Sequence, residues 1–118
     1  MSDEVIKFLL KFKQVAASGG IDLVPRPDTI ATLNYLGYTK KDLEEILMGL
    51  SVTDYCRGPL PDKGRPGELW EFGKNFDGYE VYIKLKVIEV GCSNIAKCIS
   101  FHISTHPLKY PYKGSLQE

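Results

Sequence analysis

Apolar residues at helical spacing dominate the first part of the chain. In residues 3–17 they recur at positions i, i+3, i+4 and i+7, and polar residues fill the opposite face. The apolar set is Val5, Phe8, Leu9, Phe12, Val15 and Ala16. This pattern predicts an amphipathic helix that ends at Gly19-Gly20, because glycine accepts the backbone conformation of a helix C-terminus.

Two shorter helices are predicted to follow an extended segment at residues 21–27, where two prolines disfavour helix. Asp28 is the predicted cap of the second helix, which should bury Ile30, Leu33 and Leu36. Thr39 begins the third helix and, with Asp42, resembles a capping box. The apolar stripe of that helix is Leu43, Ile46, Leu47 and Leu50. Residues 51–55 suggest one more helical turn.

Residues 56–67 contain three glycines and three prolines and are predicted to form a loop, a common location of functional groups. Strands are predicted at 68–74, 79–90 and 95–104, with turns at 75–78 and 91–94; Asp77-Gly78 is a strong hairpin signal. The expected organisation is one domain over residues 1–118: helical 1–55, loop 56–67, β-meander 68–104 and C-terminal tail 105–118. Helices followed by a meander predict an α+β fold, with the helices packed on one face of an antiparallel sheet.

Alternation along the strands sorts the side chains between the two faces of the sheet. The odd positions 81–87 are all apolar and should face the helices, which leaves Tyr82, Lys84 and Lys86 on the opposite face. In residues 95–103 the odd positions are Ile95, Lys97, Ile99, Phe101 and Ile103, and most of them are assigned to the core. Cys98, Ser100 and His102 would then face outward. Trp70 and Phe72 are expected in the core, although both could stack on RNA bases.

Composition narrows the class of protein. The 118 residues carry 15 basic and 15 acidic side chains, so any nucleic-acid site must rest on segregated rather than abundant positive charge. Basic residues are in excess from Arg57 onward. Three cysteines without CxxC spacing indicate neither a disulfide framework nor a structural zinc site. With no signal-peptide pattern and no apolar run of membrane-spanning length, we expect a cytoplasmic protein that does not associate with membranes.

The outward face collects a set of groups suited to RNA cleavage. RNA supplies its own nucleophile, the 2′-hydroxyl, so an enzyme needs a base, an acid and cations that stabilise the phosphorane, but no metal. Glu71 is the candidate base and His102 the candidate acid, since imidazole titrates near neutral pH. Arg57 suits phosphate because its planar fork binds two oxygens. Tyr82 would donate a hydrogen bond to the phosphate or replace Glu71 as the base.

Other residues have weaker claims to a function. Lys84, Lys86 and Lys74 are candidate RNA-binding residues, each with a solvated surface lysine as the alternative. His106, next to Pro107, is expected to be structural or exposed. Cys56 is conceivable as a thiol nucleophile, but no Cys–His–Asn order accompanies it.

Four short motifs in order resemble the MqsR (motility quorum-sensing regulator) toxin family. They are GLSVTDY at 49–55, LWEFG at 69–73, EVYIKL at 80–85 and CISFH at 98–102. The chain is most similar to a branch with GP at 58–59 and an HPLKYPY segment at 106–112. The resemblance covers roughly residues 5–113. In the better-known branch, the positions matching Arg57, Glu71, Tyr82 and His102 carry Lys, Gln, Tyr and Lys.

The resemblance implies a RelE-like fold and the toxin component of a type II toxin–antitoxin system. It implies sequence-specific cleavage of messenger RNA without the ribosome and without a cofactor. It also implies neutralisation by a cognate antitoxin protein.

Two alternatives remain open. The first is a non-catalytic module that binds RNA or a protein through the same basic face. The second is a metal-dependent hydrolase, with zinc held by His102, His106 and Glu71, although the second histidine would follow the end of a strand.

Overall fold

The fold was analysed in a computed structural model that describes residues 2–113; residue 1 and positions 114–118 of the predicted tail lie outside the described residues. The helices are α1 (Ser2–Gly19), α2 (Pro27–Leu36) and α3 (Lys40–Met48), followed by a 3-10 turn at Val52–Asp54. The strands are β1 (Ile21–Leu23), β2 (Tyr55–Pro61), β3 (Glu68–Phe76), β4 (Tyr79–Val90) and β5 (Ser93–Ile103). The α+β class is therefore as predicted, with three N-terminal helices packed on one five-stranded sheet.

The sheet is mixed rather than fully antiparallel, which corrects the prediction. Its strand order is β1-β5-β4-β3-β2, and β1 pairs parallel to β5 while the other neighbours are antiparallel. The segment predicted only to be extended thus joins the sheet, with Ile21 buried. A parallel partner needs a long connection, and the helices and strands between β1 and β5 provide it.

The first helix buries the predicted face. Val5, Leu9, Phe12 and Ala16 are all in the core, and Phe8 stacks on Trp70 at 4.8 Å between ring centroids. In α3, Leu43 and Leu47 are fully buried. Its N-terminus carries the predicted capping box, in which the Asp42 amide donates to Thr39 Oγ1 (3.1 Å) and the Thr39 amide to the Asp42 carboxylate (2.9 Å).

Helix α2 is rotated relative to the prediction. It begins at Pro27 with Arg26 as its N-cap, so Asp28 lies in the first turn and does not cap the helix. It buries Thr29, Thr32 and Leu33, whereas Ile30 is 42% exposed and Leu36 is only partly buried. The two threonine hydroxyls accept hydrogen bonds from the β5 amides of Phe101 (3.2 Å) and Ile103 (3.4 Å), beyond the end of β1. Beyond β1 these β5 amides have no neighbouring strand and need other acceptors, so α2 turns its threonine face toward them. The hydrophobic periodicity of the sequence contains no signal of this requirement.

The first half of the region predicted as a loop at 56–67 is a strand. Residues 55–61 form β2 at the edge of the sheet, and only 62–67 form the connection. Prolines are tolerated there because an edge strand needs only one set of ladder hydrogen bonds. Two register shifts interrupt the β2–β3 pairing, one between Tyr55 and Arg57 and one between Arg57 and Leu60.

Strand β4 has the predicted faces, but β5 does so only in part. Val81, Ile83 and Leu85 are fully buried. On β3, Phe72 is fully buried and Trp70 is 8% exposed. On β5, a register shift places one extra residue, Ile99, between the partners of Lys84 and Leu85. Such a bulge reverses the alternation. Ala96 and Cys98 therefore face the core, so the predicted outward facing of Cys98 is wrong. Ile95, Lys97 and Ile99 lie on the opposite side of the sheet from the prediction, although Ile99 is buried there (8% exposed). The prediction is correct for Phe101.

Two further features complete the architecture. The Asp77-Gly78 hairpin turn forms as predicted, with both residues at positive φ (54° and 86°). No helix within residues 2–113 is long and apolar enough to cross a membrane.

Replacing Phe12 by Ala should destabilise the protein by about 3–5 kcal/mol, because the side chain is fully buried between α1 and the sheet. The matched control is Leu10→Ala on the same helix. Leu10 is 59% exposed, so its truncation should change the free energy of unfolding by less than about 0.5 kcal/mol. Urea unfolding of both variants measures the difference. Equal effects would contradict the packing of α1 on the sheet.

Candidate active site

Four adjacent strands bring the predicted acid–base residues onto one face of the sheet. Arg57 on β2 stands opposite Glu71 on β3, and Tyr82 on β4 stands opposite His102 on β5. All four line one cleft of about 670 Å³. The four catalytic residues predicted from the sequence are thus close to one another in space.

The carboxylate of Glu71 is the centre of the arrangement. Its side chain is only 11% exposed. Arg57 donates from Nε to Oε1 at 2.9 Å and from Nη2 to Oε2 at 3.5 Å, and Tyr82 donates its hydroxyl to Oε2 at 2.8 Å. Carboxylate oxygens offer about four acceptor positions, so these bonds leave room for one further proton donor.

Electrostatics assign different states to the neighbours of Glu71. Burial raises the pKa of Tyr82, and the hydrogen bond to the Glu71 carboxylate and the charge of that group raise it further. The separate hydrogen bond that Arg57 donates to Glu71, together with the charge of that carboxylate, raises the pKa of the Arg57 guanidinium. At neutral pH the phenol therefore remains protonated and acts as a hydrogen-bond donor. Tyr82 is therefore poorly suited to accept a proton, and of the two candidate bases Glu71 is the better placed.

His102 lies on the far side of Tyr82. The two rings are 5.1 Å apart between centroids, and Nδ1 of His102 lies 3.1 Å from its neighbour's carbonyl oxygen, that of Ile103. A carbonyl oxygen only accepts, so Nδ1 carries the proton in this hydrogen bond. Nε2 is then the nitrogen that is left to exchange a proton with a substrate.

The chain after β5 forms one wall of the cleft. Residues 104–111 run over the outward face of the sheet and contribute His106, Pro107, Leu108 and Pro111 to the lining. We refer to residues 104–113 as the C-terminal strap. Pro107, Leu108 and Pro111 are the apolar part of this wall, and Ser104, Thr105, His106 and Lys109 are its polar part.

Glu80 and Gly73 hold the strap in place. The Glu80 carboxylate accepts from the Leu108 amide (3.0 Å) and the Tyr110 hydroxyl (2.8 Å). A Cβ at Gly73 would lie 2.5 Å from a Leu108 methyl carbon and 2.6 Å from the Tyr110 oxygen, so only glycine admits this approach. Glu80 was not predicted from the sequence. The available signal was its position on β4, where it alternates with buried residues in the same way as Tyr82 and Lys84.

The three lysines named from the sequence occupy different environments. Lys84 lies beside the cleft, with Nζ 5.8 Å from the Tyr82 ring centroid. Lys86 is buried, and its ammonium is ion-paired with Asp62 and donates to the Pro66 carbonyl at 3.0 Å. Lys74 stands opposite buried Val81 and is paired with Asp54 at 3.3 Å, so it belongs to the other side of the sheet. Only Lys84 of the three is close to the cleft and unpaired within the described residues.

The remaining candidates are also located. Cys56 lines the cleft, but burial, together with the Glu71 carboxylate, raises the pKa of its thiol to about 12. A neutral thiol is a poor nucleophile. His106 is exposed on the strap, as expected. Within residues 2–113, no group of three His, Cys, Asp or Glu side chains is arranged to hold a metal ion.

Comparisons of the chain with protein-family models, with curated proteins and with solved structures gave no match. The resemblance to the MqsR family therefore rests on the sequence motifs alone and stays a hypothesis.

Thiol labelling tests the environment of Cys56. Cys92 is exposed, whereas Cys56 is half-buried and Cys98 is buried with a thiol pKa likewise raised to about 12. Since only the thiolate reacts, iodoacetamide at pH 7.5 should modify Cys92 first and leave Cys56 and Cys98 largely unmodified. Peptide mass spectrometry over a time course measures the three rates. Labelling of Cys56 as fast as that of Cys92 would show that its thiol is activated.

Proposed function

We propose that this chain is a metal-independent endoribonuclease, the toxin component of a type II toxin–antitoxin system related to MqsR. The observation that carries the proposal is the Glu71 carboxylate, hydrogen-bonded by Arg57 and Tyr82 in a cleft that also holds the His102 imidazole. A base, an acid and a phosphate-binding cation within one cleft are what transfer of a phosphodiester to the 2′-oxygen requires.

The proposed reaction uses the 2′-hydroxyl of the substrate as nucleophile. Glu71 removes its proton while the 2′-oxygen forms a bond to phosphorus. The bond from phosphorus to the 5′-oxygen breaks, and the His102 imidazolium gives its proton to that oxygen. The products are a 2′,3′-cyclic phosphate and a free 5′-hydroxyl, and Glu71 and His102 have exchanged protonation states.

Arg57 and Tyr82 would stabilise charge rather than move protons. The Arg57 side chain is 65% exposed while Nε and Nη2 point to Glu71, so its remaining N–H groups are available to a phosphate. Tyr82 fixes the carboxylate through a bond of 2.8 Å. Donors held in place before the substrate arrives need little reorganisation when charge develops on the phosphorane.

Several parts of the proposal rest on the sequence resemblance. These are the RelE-like assignment of the fold, cleavage of messenger RNA at a preferred sequence without the ribosome, a cytoplasmic location and control by an antitoxin. The α+β architecture with its outward-facing cleft is compatible with them.

The alternative is a non-catalytic module that binds RNA or a protein through the same face. A carboxylate among cations weakens the attraction for phosphate, so a purely RNA-binding surface gains nothing from Glu71. Its burial and its three hydrogen bonds from Arg57 and Tyr82 favour the catalytic proposal.

End-group analysis tests the chemistry. The purified protein is incubated with mixed-sequence RNA in excess EDTA, and the fragments are tested for 5′-phosphate and for cyclic phosphate. We expect cleavage in EDTA, cyclic or 3′-phosphate ends and free 5′-hydroxyls. A requirement for magnesium, or 5′-phosphate ends, would overturn the mechanism. Salt-dependent binding without any cut products would favour the non-catalytic module.

Substitutions test the assigned roles within the same reaction. Glu71→Gln and His102→Ala should each lower kcat/KM by about 10²–10⁴-fold, the usual contribution of a general acid or base. Tyr82→Phe should lower it by a smaller factor, on the order of tenfold, because one hydrogen bond to a charged group is lost. Glu45→Gln, an exposed change on α3, is the matched control and should be neutral. A larger effect of Tyr82→Phe than of Glu71→Gln would exclude Glu71 as the base.

Co-expression tests the proposed antitoxin. Expression of the chain should arrest growth, and expression of Glu71→Gln should not. A small protein encoded beside this chain should restore growth when it is co-expressed, and it should co-purify with the chain. Growth arrest of equal strength by the Glu71→Gln variant would show that toxicity does not depend on the proposed chemistry.

A further inference from the structure

A second, strongly basic depression lies beside the cleft on the same face of the sheet. We call it the basic groove; it has a volume of about 520 Å³. Its charged lining consists of Arg26, Arg65, Lys84, Lys86 and Lys97 against the single carboxylate of Asp62. In a chain with no net charge, this is the segregation of positive charge that an RNA-binding surface requires.

The groove continues the cleft along the β4–β5 pair. Tyr82 and His102 face each other in the cleft, and the next outward pair is Lys84 with Ser100. Two residues along a strand advance by about 6.8 Å, comparable to the distance between successive phosphates of an extended nucleic-acid strand. The step from the cleft to Lys84 therefore corresponds to one nucleotide.

Three of the cations are available to a ligand. Lys86 is paired with Asp62, and Lys97 with Asp22 at 2.8 Å. Among the described residues, neither Arg26 nor Arg65 nor Lys84 has an ion-pair partner. The Arg26 side chain donates from Nη1 to the Ser100 hydroxyl at 3.3 Å, which directs the guanidinium toward the β4–β5 pair.

Lys86 fixes the position of Arg65. Its buried ammonium binds both ends of a short segment, the Asp62 carboxylate and the Pro66 carbonyl. The Arg65 amide also donates to the Asp62 carbonyl at 2.7 Å. The β2–β3 connection is thereby attached to β4, and exposed Arg65 is held at the rim of the groove.

We propose that Arg26, Arg65 and Lys84 form a subsite for the RNA phosphate next to the scissile one, an inference that rests on the proposed nuclease function. The strand would run from the cleft into the groove along β4. Guanidinium groups suit this role because they bind phosphate oxygens in pairs. The apolar floor, which includes Leu69 and Ile99, offers a surface for the adjoining sugar or base.

The test compares substrates that differ in length. A dinucleotide contains only the scissile phosphate, whereas an RNA of about twelve nucleotides also fills the groove. Arg65→Gln should lower kcat/KM for the long substrate by about tenfold and leave the dinucleotide unaffected. Arg26→Gln should behave in the same way. Lys40→Gln, which removes one exposed charge from α3, is the control and should affect neither substrate.

Binding provides a readout that does not depend on cleavage. A fluorescent 2′-O-methyl RNA of the same length lacks the nucleophile and can only bind. Each lost phosphate contact should reduce the slope of log K against log salt by about 0.7, so Arg65→Gln should show a shallower slope than the wild type. Thermal unfolding checks that the variants keep their fold.

The outcomes separate the two proposals. Equal loss of kcat/KM on both substrates would overturn the subsite. Unchanged RNA binding and cleavage in both arginine variants would also overturn it. If those variants in addition lost antitoxin binding, the groove would be assigned to a protein partner. If the wild type cuts no RNA, the nuclease proposal fails. In that case, a shallower salt dependence of RNA binding in Arg65→Gln than in the wild type would still identify the groove as an RNA-binding site.

Discussion

The hydrogen bonding of one nearly buried carboxylate organises the outward face of this protein. A charged group that has lost most of its water must regain hydrogen bonds from the protein, or burial becomes unfavourable. Glu71 on β3 regains them from Arg57 on β2 and Tyr82 on β4. The interaction therefore fixes three neighbouring strands relative to one another, and it does so on the side of the sheet that the core does not stabilise.

Irregular strands supply the groups at either side of this centre. Arg57 lies between two register shifts in β2, and His102 lies just beyond the bulge at Ile99 in β5. A bulge redirects the side chains that follow it, and bulges are over-represented beside active sites. The regular strand β4 between them buries Val81, Ile83 and Leu85 on one face. A rigid core layer thus supports an outward layer whose geometry depends on strand defects.

The outward layer is divided into regions with different chemistry. The C-terminal strap, held by Glu80 over Gly73, provides a wall of mixed apolar and polar residues. On the other side of Tyr82, the positive charge of Arg26, Arg65 and Lys84 accumulates, because the nearby carboxylates are already paired with Lys86 and Lys97. In the proposed function, the acid–base region would contact the scissile phosphate and the cationic region the next phosphate of the RNA strand.

The sequence alone determined the elements whose signals are local. The periodicity of α1, the Thr39–Asp42 capping box, the Asp77-Gly78 turn and the alternation of β4 each depend on residues within one or two turns or along one strand. From these the α+β class and the shared face of Glu71, Tyr82 and His102 could be predicted. Four features could not be predicted: the parallel pairing of β1, the strand at 55–61, the rotation of α2, and the faces toward which residues 95–99 point. Each depends on hydrogen bonds between segments far apart in the chain, which only the assembled sheet brings together.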